Sequence, residues 1–152
     1  MTTPVQDPAG PAAPAQTVER FLAALGARAP EAAALAAPDV AVAVYPLSVD
    51  ATGRTALQQV LSDLVRAFPD LLITVSRVIA TDGGVVTALF KAEGTQAADY
   101  AGAINQEKHL DIDQAWRFTV SGGRITSVRA YWCQAQLYRR LAVKRFDEIA
   151  IV

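Results

Sequence analysis

The sequence predicts an α+β domain, helices first and strands second, with the helices packed on one face of a single sheet. Three observations carry this reading. At 152 residues the chain has the length of one domain, and 52% of it is apolar against 19% charged, enough to bury a core. The first half spaces its apolar residues as helices do, and from Leu71 onward the period drops to two. Two glycine turns, Asp82-Gly83-Gly84 and Gly122-Gly123, divide that second half into hairpins.

The elements follow in order. Residues 1–15 hold Pro4, Pro8, Pro11 and Pro14 among small residues, which predicts a disordered lead-in. A helix comes next, with Thr17 as its candidate cap and Val18, Phe21, Leu22 and Leu25 at i, i+3, i+4 and i+7. Pro30 suits the first turn of a short alanine-rich helix, which Pro38 closes. Val40 to Tyr45 reads as a strand stopped by Pro46. The clearest stripe, Leu57, Val60, Leu61, Leu64, Val65 and Phe68, sets a helix from Arg54 to Phe68, ended by Pro69-Asp70. Leu71 to Thr81 and Val85 to Glu93 form one hairpin; Leu110 to Ser121 and Arg124 to Cys133 form another. Between them, Gly94 to Gln106 is a small, polar connection, and the tail from Gln134 opens with a short helix on Leu137 and Leu141.

Composition also excludes. Lys+Arg number 14 against Asp+Glu 15, a net charge of −1, so there is no basic excess to neutralise a phosphate backbone and no nucleic-acid partner is expected. Arg139, Arg140, Lys144 and Arg145 form the single basic cluster, read as a solvated helix face. One cysteine and one histidine allow no internal disulfide and no closed zinc site. No apolar run reaches the ~18–20 residues of a membrane span, and the start has neither the basic flank nor the apolar centre of a signal peptide. The expectation is a cytoplasmic protein with no membrane partner. No glycine-rich dinucleotide or phosphate loop and no Gly-x-Ser-x-Gly elbow occurs, so no cofactor is expected.

Gly53-Arg-Thr-Ala-Leu opens the long helix and Ala67-Phe-Pro-Asp-Leu follows it; then come Glu93-Gly94-Thr95, Trp116-Arg-Phe, Gly122-Gly-Arg-Ile, Tyr131-Trp132 and Leu137-Tyr-Arg-Arg-Leu141. In order and spacing this series resembles the SnoaL-like polyketide cyclases of the nuclear transport factor two-like superfamily, over roughly residues 16–142, leaving 143–152 as a tail. The resemblance implies a cone in which three or four helices pack on the concave face of a strongly curved mixed sheet and enclose one apolar pocket. It implies a homodimer through the outer sheet face. Such folds serve ring-closing aldol cyclases, ketosteroid isomerases, scytalone dehydratase, limonene-epoxide hydrolase and non-enzymatic modules, so fold alone does not choose the function.

Alternation sorts the pocket face. Leu110, Ile112, Gln114, Trp116, Phe118 and Val120 share one side of their strand and should line the pocket; His109, Asp111, Asp113, Ala115, Arg117 and Thr119 share the other. His109-x-Asp111-x-Asp113 carries metal-ligand types, but on the polar side, so no metal is expected there. At Gln114 the resemblance implies an aspartate that serves as general acid/base. An amide cannot titrate, which leaves three readings. Gln114 holds a substrate carbonyl while another group moves protons; the chemistry is lost and a binding module remains; or a β-bulge turns Asp113 inward.

The other candidates are Tyr45, Tyr131 and Arg129. Either phenol would donate to a developing oxyanion, and Arg129, if its face is the pocket face, would bind a carboxylate or enolate; the alternative is a sheet surface or dimer interface. Cys133 stands at the second acidic position of the family and reads as inert packing or part of the pocket wall. Trp116, Phe90 and Phe68 are core or pocket wall, and Asp50 is a loop acid able to cover the mouth. The resulting expectation is a cofactor-independent enzyme that encloses an apolar carbonyl-bearing small molecule for cyclisation, isomerisation, dehydration or epoxide opening. The alternative is a non-catalytic ligand-binding or dimerisation domain.

Overall fold

A computed structural model describes residues 12–144. Its elements are α1 (Ala12–Gly26), β1 (Ala36–Val44), β2 (Val49–Thr52), α2 (Arg54–Ala67), β3 (Leu72–Ala80), β4 (Val85–Thr95), β5 (His109–Ser121), β6 (Arg124–Trp132) and α3 (Gln134–Arg140). Short 3-10 turns occupy Pro30–Leu35, Tyr45–Leu47 and Asp82–Gly84. The six strands make one curved sheet in the order β2-β1-β6-β5-β4-β3. Every neighbouring pair is antiparallel except β1 and β6, which run parallel.

Helix α1 lies against β3, β4 and β5, and α2 lies over β1. Their apolar stripes explain the placement: Val18, Phe21, Leu22 and Leu25 of α1 and Leu57, Leu61 and Leu64 of α2 are all buried. Below them β5 alternates without a slip, its pairing with β4 unbroken from Val85↔Thr119 to Thr95↔His109. Leu110, Ile112, Gln114, Trp116, Phe118 and Val120 are buried, while His109, Asp113 and Arg117 are exposed on the opposite side. The reading that turns Asp113 inward through a bulge is therefore overturned.

The space beneath the helices is filled by rings rather than left open. Trp116 meets Phe90 at 5.7 Å, Phe21 at 6.3 Å and Phe118 at 6.3 Å, and Phe21 meets Phe118 edge-on at 5.4 Å. Burying such side chains contributes about 1.5–3 kcal/mol each, so the cluster is a main source of stability. Two of the sequence motifs also meet. Thr95 N–H donates to Asp70 Oδ1 at 2.8 Å, and a Cβ on Gly94 would stand 3.0 Å from both that oxygen and Phe68 Cβ. A side chain at 94 would crowd the turn after α2, and glycine lets β4 pass this close without displacement.

Three expectations need correction. Helix α1 starts at Ala12, so Thr17 lies inside it and donates to Ala13 O at 3.3 Å instead of capping. Pro14 is tolerated because the first-turn amides have no helical partner. The part of the expected lead-in that falls on 1–11 and the tail from 145, Arg145 included, lie outside the described residues. Pro38 does not close a helix; it sits in β1, where the pairing with β6 shifts between Ala36 and Ala41. Val49–Thr52, read as a loop, forms the short edge strand β2 against β1, from Ala41↔Thr52 to Val44↔Val49.

Candidate active site at the rim of the cone

A cavity of about 570 Å³ opens at the rim of the sheet, between α2, the Tyr45–Leu47 turn, α3 and the loop that joins β4 to β5. Helix α2 supplies its polar wall. Ala56, Gln59, Val60 and Asp63 fall at i, i+3, i+4 and i+7, a second stripe beside the buried Leu57-Leu61-Leu64 stripe. Gln59 Nε2 donates to Asp63 Oδ1 at 2.9 Å, and Arg66 Nη2 lies 3.2 Å from the same oxygen. Both donors use Oδ1, which leaves Oδ2 as a free acceptor.

The loop brings the second group. Gln96 is buried to 1% exposure, and its Nε2 donates to the carbonyls of Ala98 at 3.1 Å and Ala103 at 3.0 Å while Gln106 N–H donates back to its Oε1 at 3.4 Å. Around this centre Tyr100 and Ala103 exchange backbone hydrogen bonds of 3.0 and 2.8 Å across a turn. Ala101 and Gly102 hold positive φ there, 55° and 84°, and Tyr138 of α3 donates its hydroxyl to Ala101 O at 2.9 Å. Gln106 Nε2 further ties the loop to Ala142 O at 3.0 Å.

Held this way, Tyr100 is only 8% exposed and lies on the cavity wall, its ring packed edge-on against Phe68 at 5.5 Å. No described residue accepts from or donates to its hydroxyl. Burial pushes its ionisation well above the ordinary tyrosine range, and the negative charge of Asp63 adds to the effect, so the phenol stays protonated. On the third side Gln134 of α3 accepts from Trp132 Nε1 at 2.8 Å through Oε1, which leaves its amide N–H groups for the cavity it lines. The cavity thus offers a carboxylate oxygen, a protonated phenol and an amide donor among apolar walls from Leu47, Val49 and Val60.

The residues singled out from sequence go elsewhere. Gln114 is 6% exposed, and its Oε1 accepts from Trp116 Nε1 at 2.7 Å inside the ring cluster, away from the rim cavity. Phe90 and Trp116 belong to that cluster, and Phe68 backs Tyr100. Tyr45 and Tyr131, 51% and 38% exposed, stack on each other at 4.8 Å and 18°. Arg129 is exposed on the outer face and shares a groove of about 380 Å³ with Tyr45 and Asp50. Asp113, Tyr131 and Cys133 share another outer groove with an edge of Gln114. Arg129 is therefore not a buried cation. His109 and Asp111 face Glu93 at 3.8 Å and Lys91 at 3.3 Å, and among the described residues no three His, Cys, Asp or Glu side chains converge as a metal site.

Asp63 and Tyr100 were not singled out. Asp63 directly precedes Leu64 of a strong apolar stripe and reads as its solvated flank. Tyr100 lies in a polar connection with no periodicity. A lone tyrosine among small residues, between two hairpins, was the only available signal.

A mixed curved sheet carrying three helices among the described residues, with a cavity at its open end, is a fold of the nuclear transport factor two-like kind. The chain belongs to the SnoaL-like domain family, whose model matches residues 18–128. Its fold is shared with a protein of Jannaschia sp. CCS1 provisionally assigned as a SnoaL-like polyketide cyclase, at 14% identity and a TM-score of 0.80 over 94% of this chain and 100% of that one. It is also shared with IdmH of Streptomyces antibioticus, provisionally assigned as a polyketide cyclase, at 19% identity and 0.72 over 86% and 99%. A protein of Catenulispora acidiphila with a ketosteroid isomerase-like fold, solved with trimethylamine, gives 19% identity and a TM-score of 0.70 over 84% of this chain and 92% of that one. At these identities the likeness is one of fold. No curated protein matches the chain in sequence.

Proposed function

We propose that the protein is a cofactor-independent enzyme that enolises an apolar carbonyl-bearing small molecule in the rim cavity, for ring closure or isomerisation. The observation that carries the reading is the Tyr100 phenol: buried, protonated, its hydroxyl without a hydrogen-bond partner among the described residues, and beside Asp63 on the wall of a cavity large enough for such a molecule. Asp63 Oδ2 takes the proton α to the carbonyl. The C–H electron pair moves into the C–C bond and the carbonyl π pair onto oxygen, where the Tyr100 hydroxyl donates to the enolate and Gln134 offers a second donor. The enolate then attacks a second carbonyl of the same molecule, whose π pair moves onto its oxygen and takes up the proton held by Asp63, or recovers that proton at another carbon.

The test is exchange of α-protons for deuterium in a cyclic ketone and a 1,3-diketone, followed by NMR. Asp63→Asn should slow the enzyme-dependent exchange by about 10²–10⁴-fold. Tyr100→Phe should slow it by about 10²–10³-fold. Wild-type rates in both variants overturn the proposal.

The ring-filled interior favours a second reading, a ligand-binding domain without chemistry. It predicts ligand-induced shifts at Tyr100 and Gln134 resonances with no proton exchange in the wild-type protein.

A further inference from the structure

The walls of the rim cavity carry charge that they do not balance. Its charged lining residues are Asp63, Arg66 and Asp99, two acids against one base. Arg66 is already engaged, 3.2 Å from Asp63 Oδ1. Asp99 accepts from Asn105 N–H at 2.8 Å through Oδ1, and its Oδ2 meets no cation and no donor among the described residues. The negative field reaches the interior: after burial, it is Asp63, in spite of its arginine, that holds the proton on the Tyr100 phenol. Tyr100 follows Asp99 directly in the chain, 8% exposed on the same wall, with a hydroxyl that no described residue hydrogen-bonds. Tyr138 adds a second aromatic side chain, and aromatic rings are the apolar surface that attracts cations.

A neutral ketone leaves the excess in place throughout the enolisation proposed above. Asp63 loses its charge to the new O–H bond, the enolate takes that charge on, and Asp99 stays uncompensated in the same cavity. We infer that the substrate is an aminoketone, an otherwise apolar carbonyl compound with one protonated amine, which Asp99 holds at the mouth while the carbonyl meets Tyr100 within. This substrate class rests on the enolising reading of the cavity and completes it. One ammonium cancels the excess charge both before and after the proton moves. The α C–H bond breaks, the Asp63 Oδ2–H bond forms, and the product is a zwitterion whose ammonium keeps all its protons. Burial sets the orientation: Asp99 is exposed and Tyr100 is not, and because they are consecutive one small molecule reaches both. The same charges turn anionic substrates away.

Two ketones of matched shape test this: 4-(dimethylamino)cyclohexanone, cationic at neutral pH, and the neutral 4-isopropylcyclohexanone. Enzyme-dependent α-proton exchange, corrected for the uncatalysed rate of each, should show a KM at least about tenfold lower for the aminoketone. Asp99→Asn keeps an oxygen for Asn105 N–H and should abolish that gap. N,N-dimethylcyclohexylamine, which has no carbonyl, gives a readout without chemistry. It should shift the Asp99 and Tyr100 amide resonances of the wild type and bind Asp99→Asn about tenfold more weakly. Exchange with equal KM for both ketones, or a preference that survives Asp99→Asn, overturns the aminoketone and leaves enolisation standing. If neither ketone exchanges, the enolising reading falls and the amine alone decides the cation site: shifts that depend on Asp99 support it, and their absence overturns it.

Discussion

Tyr100 is 8% exposed and no described residue hydrogen-bonds its hydroxyl, an arrangement that costs about 1–3 kcal/mol of folding free energy. A fold that tolerates the cost keeps the donor for something that arrives later. Tyr100→Phe should therefore raise stability in urea titrations by about 1 kcal/mol while lowering exchange activity. The pH profile gives an independent check. A free tyrosine ionises near pH 10, whereas burial first and Asp63 second hold the proton on Tyr100 to higher pH. Above about pH 10 the unfolded chain carries fewer protons at this residue than the folded one, so stability falls as pH rises, by up to ~1.4 kcal/mol per pH unit. Below that range the contribution is fully present and flat. The difference between wild type and Tyr100→Phe should show that descending limb; parallel profiles would mean that Tyr100 is not the buried phenol described.

Gln114 teaches the complementary lesson. Its face was legible because alternation is a rigid rule, and its burial follows from it. Its duty was not, since an amide that props up an indole and an amide that holds a substrate have the same sequence. Gln114→Leu removes the acceptor of a buried N–H and should cost about 1–2 kcal/mol in thermal or urea unfolding, with proton exchange at the rim near the wild-type rate. Loss of exchange without loss of stability would return Gln114 to the mechanism.

At the scale of elements, the loop between β4 and β5 behaves as part of the scaffold. Gln96 serves two carbonyls and one amide from a position with almost no exposure, and Tyr138 and Gln106 lash the turn to α3 and the segment after it. Gln96→Ala leaves those buried groups unanswered, a loss of about 2–4 kcal/mol confined to the loop. Hydrogen exchange should quicken at the Tyr100 and Ala103 amides while β5 and β6 keep their protection. Sequence periodicity could find the strands on both sides of this loop, and the glycine turns that join the other strands, because those signals are local. It could not find the loop's internal order, which depends on one glutamine meeting partners up to ten residues away. The same limit explains β2: four residues at the sheet edge, with Asp50 among them, are strand only because β1 lies beside them.

At the scale of the molecule, the architecture was readable and the location of the site was not. Helical stripes followed by hairpins fix the layers, and the motifs around Phe68 and Gly94 fix how one end closes. Where a family fold keeps its free volume depends on side chains that differ from member to member. Here Phe21, Phe90, Trp116 and Phe118 occupy the centre, and the open volume stands at the rim. The outer face was equally legible as polar, but only the pairing of β5 with β6 shows that its two arginines stand side by side.

The parallel pairing of β1 with β6 has a consequence for biogenesis. Val42 finds its neighbour in Val128, so the inner edge of β1 stays unpaired until β6 has been made. In the meantime β2 covers its other edge and α2 its face. Completion of the sheet thus waits on β6, and nascent chains stalled ahead of Arg124 would present the unpaired edge of β1 to chaperones.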